Sequence, residues 1–72
     1  MKVKDALFEM KHGHRIAHRG IVTPDGRVTY RLNSKTGKVD VECLKGMRTD
    51  RWSITQKYFV ENHGKCDFEI YD

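Results

Sequence analysis

The sequence contains little that could staple it together. Its only cysteines are Cys43 and Cys66, which allow one disulfide at most. Met1 to Met10 carries Lys2, Lys4, Asp5 and Glu9 in place of an apolar run, so no signal peptide is read there and the cysteines are expected to be a reduced, cytosolic pair. No window approaches the ~20 apolar residues of a bilayer span, which excludes a membrane helix. Proline occurs once, at Pro24, and tryptophan once, at Trp52. Also missing are a phosphate-binding glycine loop, a dinucleotide fingerprint and a carboxylate pair in a supporting pattern, so neither an enzyme nor a cofactor is expected. A single domain of 72 residues only marginally offsets its chain entropy by burial. With few covalent staples to help, the expectation is a homo-oligomer.

Charge is unevenly spread. The chain carries a net +4, but residues 1–38 hold nine Lys or Arg against three Asp or Glu, and residues 39–72 hold five against seven. A basic N-terminal half favours an anionic partner: nucleic acid, a nucleotide or an acidic protein surface.

The sharpest structural signal runs from Arg27 to Leu44, two alternating stretches around Ser34, Lys35, Thr36 and Gly37. If Asn33 and Lys38 close that loop, Val28 faces Cys43, Tyr30 faces Val41 and Leu32 faces Val39 on an apolar side. Arg31 then faces Asp40, and Thr29 faces Glu42, on a polar side. A slip of one residue would bury the charges and expose the valines, so the register is well specified.

Around this hairpin, Val3, Ala6, Leu7 and Met10 have the spacing of one helical face, and Gly13 supplies a stop. Arg15 to Thr23 reads as a strand ended by the turn Thr23-Pro24-Asp25-Gly26. That turn would pair Val22 with Val28, Gly20 with Tyr30 and His18 with Leu32, with Gly20 leaving room for the tyrosine ring. Gly46 to Arg51 reads as a loop, Ser53 as the N-cap of a helix over Ile54 to Asn62, and Cys66, Phe68 and Ile70 as the inward side of a last strand. The expected fold class is α+β: a small antiparallel sheet with an N-terminal helix, in the order α-β-β-β-α-β, its helices sharing one side.

His12, His14, His18 and His63 with the two cysteines are enough soft ligands for zinc, but only His63 and Cys66 have paired spacing, so no metal site is expected. Cys43 lies mid-strand among apolar neighbours, and Cys66 lacks an orienting carboxylate, which argues against a nucleophile. The strand phase instead collects Arg15, Arg19, Arg27 and Arg31 on the outer face, with Tyr71 and Trp52 available to stack. These four arginines are the candidate anion- or partner-binding residues. A nucleic-acid-binding sheet face is the alternative, although such faces present more aromatics amid the charge.

The stretch Val3-Lys4-Asp5-Ala6-Leu7-Phe8-Glu9-Met10-Lys11-His12-Gly13-His14-Arg15-Ile16-Ala17-His18-Arg19-Gly20 resembles an "EAL...LK.GK.VAR.GW" opening. Trp52-Ser53-Ile54-Thr55 through Cys66-Asp67-Phe68-Glu69-Ile70-Tyr71 is similar to the closing pattern of the same family, a Trp and a short helical turn followed by "DWEI". The family is the Thoeris anti-defence 2-like family of small phage and prophage proteins. Its members include proteins that sequester cyclic nucleotide signals of bacterial immunity and an inhibitor of a type II CRISPR nuclease. Ile21 and Phe68 stand where the family pattern has Trp, and the tight turn at Pro24 stands in place of its glycine-rich ligand loop. The resemblance implies a counter-defence protein in the host cytoplasm. It would bind an immune effector protein or its cyclic nucleotide signal stoichiometrically.

Overall fold

The computed structural model describes residues 1–20 and 26–72. Helix α1 (Val3–Lys11) is followed by strands β1 (Ile16–His18), β2 (Gly26–Leu32), β3 (Val39–Lys45) and β4 (Arg48–Ile54), helix α2 (Gln56–Asn62) and strand β5 (Phe68–Ile70). The strands form one antiparallel sheet in the order β4-β3-β2-β1-β5. The α+β arrangement expected from the sequence is the one observed, with one strand more.

The β2–β3 hairpin has the register read from its residues, including Val28 opposite Cys43, Tyr30 opposite Val41 and Arg31 opposite Asp40. The Asn33 amide donates to the Lys38 carbonyl at 2.8 Å, and the Asn33 side chain accepts from the Lys35 and Thr36 amides inside the loop. An asparagine that satisfies its own turn fixes where the strands may pair.

Helix α1 buries Val3, Ala6 and Met10, the stripe that its spacing predicts. It ends at His12, and Gly13 takes φ +91°, the left-handed conformation that glycine adopts without strain. These side chains join Ile16, Tyr30, Val39, Val41, Phe59 and Phe68 in one core on the inner face of the sheet. Phe59 is fully buried, and it carries α2 into that core.

Four expectations are corrected. First, β1 ends at His18, and Ile16 rather than Gly20 stands opposite Tyr30, a shift of four residues from the expected pairing. An even shift keeps every side chain on its face, and it sets a buried isoleucine against the ring where a glycine would bury nothing. Gly20, at φ +76°, is a turn residue that ends the strand. The expected turn at Thr23-Pro24-Asp25, and the pairing of Val22, lie outside the described residues. Second, Gly46 to Arg51 is no loop: Lys45 and Arg48 close a two-residue hairpin with Gly46 at φ +58°, and β4 follows in continuous register with β3. Third, Ile54 ends β4, and the N-cap of α2 is Thr55, not Ser53. The Thr55 hydroxyl accepts the Tyr58 amide at 3.0 Å. Fourth, the last strand begins at Phe68, two residues later than Cys66.

Candidate functional site

Among the described residues, both helices cover the inner face of the sheet and none covers the outer face. The outer face is therefore where polar side chains can meet a partner. Its side chains follow from register. One row across the sheet runs Glu69, Ala17, Thr29, Glu42, Arg51. In the next row Tyr71 is tied to Arg15, its amide donating to the Arg15 carbonyl at 2.7 Å, and Arg31, Asp40 and Ser53 continue across β2, β3 and β4.

Three of the four candidate arginines share this face. The guanidinium carbons of Arg15 and Arg27 lie 6.0 and 5.4 Å from the centre of the Tyr71 ring. Cation–π attraction thus gathers two like charges over one aromatic face. Ala17 and Thr29, beneath that cluster, are buried although no helix covers them. Arg31 is exposed and has no ion pair among the described residues. Arg15 and Arg31 also line an open cleft of about 540 Å³ with Thr29, Asp40, Glu42, Arg51 and Ser53.

Arg19 follows β1 at an exposed turn, where its backbone amide donates to the Asp67 carbonyl at 3.0 Å, and it does not line the cleft. Strand phase assigns a side only while the strand lasts, and β1 stops one residue earlier. The pairing of Trp52 with Val41 turns its side chain toward the inner face, a correction to its expected place for stacking beside the arginines, although Trp52 still contributes to the wall of the cleft.

The carboxylates in the cleft are largely committed. Glu42 holds Arg51 at 3.0 Å, and Asp40 accepts from the Ser53 hydroxyl at 2.8 Å and the Asn33 amide group at 3.2 Å. What remains free to meet an anion are the forks of Arg15 and Arg31. The Asp72 carboxylate secures this end of the face, accepting from the Arg15 amide at 3.0 Å and pairing with His14 at 2.6 Å. The hydrogen bond from Arg15 and the contact with His14 hold the Asp72 carboxyl below its ordinary range. The same contact, aided by Glu9, raises the His14 imidazole.

A second polar cluster lies on the inner side. The Tyr30 hydroxyl is 2.9 Å from Nε2 of His18 and 3.3 Å from Nε2 of His63, whose Nδ1 is 2.7 Å from the Phe59 carbonyl. Nothing in the strand pattern signalled this chain, because His63 follows α2 and only the fold brings it to Tyr30. Burial, with lesser effects from the nearby Cys66 and Cys43 thiols, pushes the Tyr30 phenol up to about 12, so it stays protonated. Cys43 and Cys66 are both free. Among the described residues no group of three or more His, Cys, Asp or Glu is placed to hold a metal ion. No described helix is long and apolar enough to cross a membrane.

A scan against protein-family models finds no match, and searches of curated proteins and of solved structures find none either. The two ends of the chain are neighbours in space, since β1 pairs with β5 along Ile16–Ile70, Ala17–Glu69 and His18–Phe68, and α1 packs on β5.

Proposed function

We propose that this protein acts by stoichiometric binding, taking an anionic ligand or acidic protein surface on the outer face of its sheet. Arg15, Arg27 and Arg31 make the contact. One observation carries the reading: Arg15 and Arg27 are gathered over Tyr71, and Arg15 lines an open cleft together with Arg31, which has no ion pair among the described residues. Arginine forks match phosphate and carboxylate oxygens in pairs, and a cluster already assembled loses little side-chain freedom on binding. In biological terms the reading is a counter-defence protein of a phage. Its target is a host immune effector or the cyclic nucleotide signal that activates one, as the terminal residue patterns suggest.

Calorimetric titration with a panel of cyclic mono- and dinucleotides, and with pyrophosphate as the bare charge, tests this. Binding that falls at least ~100-fold in the Arg15→Glu/Arg31→Glu variant supports the reading, the loss expected when charge-assisted bonds are replaced by repulsion. If the nucleotides do not bind, the same variant is tested for loss of capture of an effector protein.

Binding of single-stranded nucleic acid is the second reading, favoured by an outer face that no described helix covers and by guanidinium planes able to stack on bases. It predicts complexes that weaken steeply with salt. Its weakness is that Tyr30, Phe59 and Phe68 all face inward and Glu42, Asp40 and Glu69 interrupt the positive charge.

A further inference from the structure

Strand β4 is a sheet edge with seven residues in unbroken register with β3, and it contains neither proline nor bulge. Natural edge strands are normally short, kinked or covered, because their outward N–H and C=O groups invite another strand. Which groups point outward follows from the hairpin. Lys45 and Arg48 close a two-residue loop and so form a hydrogen-bonded pair, and alternation then makes Cys43–Asp50, Val41–Trp52 and Val39–Ile54 hydrogen-bonded as well. The β2–β3 loop, closed by Asn33 and Lys38, requires the same alternation of β3 from its other side. Thr49, Arg51 and Ser53 therefore turn their backbone groups away from β3. On the inner face of the same edge, Trp52 is 48% exposed and Tyr58 55% exposed, beside a hollow of about 270 Å³ that they line with Ile54.

We infer that β4 pairs antiparallel with β4 of a second copy of this chain, about a two-fold axis at Trp52. Antiparallel self-pairing sets residues opposite one another around whichever residue lies on the axis, so charge decides among the choices. An axis at Asp50 sets two carboxylates face to face, and one at Arg51 sets two guanidiniums face to face. Axes nearer either end of β4 leave too short an overlap. The axis at Trp52 pairs Arg51 with Ser53 of the second copy through outward backbone groups, and Asp50 with Ile54. Each Arg51 keeps Glu42 and each Asp50 keeps Arg48. The two indoles then occupy a non-hydrogen-bonded pair, the position where cross-strand side chains come closest, and each lies against the other copy's exposed aromatic edge. The result is a ten-stranded sheet with all helices on one side. It sets the two outer-face clefts on either side of the seam, since Arg51 and Ser53 belong to both.

Trp52 is the only tryptophan, so its fluorescence reports this seam directly. Sedimentation is expected to give a dimer at hundred-micromolar concentration, and dilution to dissociate it with a red shift of the emission as Trp52 meets water. Trp52→Lys sets two ammonium groups opposite each other and weakens the dimer about thirty-fold or more, as loss of a central interface tryptophan does. Ser53→Pro removes an outward N–H without breaking the β3 ladder and weakens it too. Circular dichroism checks that both variants fold. A wild-type protein that stays monomeric at that concentration overturns the inference, as does a dimer indifferent to both substitutions. So does a monomer whose β4 edge takes up only an unrelated extended peptide.

Discussion

The Tyr30 hydroxyl accepts a hydrogen bond from Nε2 of His18 at 2.9 Å and donates one to Nε2 of His63 at 3.3 Å. The direction follows from the end of the chain. The Phe59 carbonyl can only accept, so Nδ1 of His63 holds a proton and its Nε2 is the bare nitrogen. Every member of this half-buried chain then has a hydrogen-bond partner.

Tyr30→Phe keeps the ring in the core and removes the oxygen, leaving a donor on His18 and an acceptor on His63 unpaired. The expected cost is about 1–3 kcal/mol, read from the urea midpoint at pH 7.

The same chain sets a pH dependence. Burial, and secondarily the charge His63 would carry, lowers the His18 pKa from its ordinary 6.5. The folded state then binds fewer protons than the unfolded one. The contribution of His18 is therefore present above 6.5 and is lost as pH falls through the folded value. Melting temperature should drop from pH 7 to pH 5, and His18→Gln should flatten part of that drop.

The His14–Asp72 clasp behaves in the opposite sense on its histidine side. The raised pKa of His14 gives a contribution that is present below 6.5 and is lost as pH rises through the folded value. The lowered pKa of Asp72 gives one present above about 3.8 and lost as pH falls through its folded value. Between those limits the clasp holds the end of the chain that carries Tyr71. Protection of the Tyr71 amide, with the intrinsic base-catalysed exchange rate divided out, should be greatest in mildly acidic solution and fall above the His14 transition, and Asp72→Asn should remove that dependence.

Phe59 is the one buried residue of α2, and through it the helix holds the core. Phe59→Ala should cost about 3–5 kcal/mol and leave a domain of this size largely unfolded at room temperature. Thr55→Ala should cost about 1 kcal/mol by removing the cap at Tyr58. Denaturant titrations of the two variants distinguish a lost core from a frayed helix.

Much of this architecture is legible in the sequence where burial forces a pattern. The β2–β3 register could be read because Val39, Val41 and Tyr30 must be inward while Arg31 and Asp40 stay in water. Strand β4 could not, because an edge strand with two partly solvated faces needs no apolar alternation. Only Gly46 between Lys45 and Arg48 marked its turn. Of the arginines, Arg15, Arg27 and Arg31 fall on the face that strand phase assigned them, and that assignment survived a four-residue error in pairing because the error was even. Arg19 lies one residue past the end of β1, where strand phase no longer assigns a side. The Tyr30–His63 contact joins residues 33 apart through the packing of α2, for which no local signal exists.

The most direct test of the central claim is an amide chemical-shift map recorded while pyrophosphate, and then a cyclic dinucleotide, is added to the labelled protein. Saturable shifts at Arg15, Arg31, Ser53 and Tyr71, absent from α1 and lost in Arg15→Glu/Arg31→Glu, are the predicted result. Shifts confined to the helices, or binding that survives both substitutions, would contradict the account.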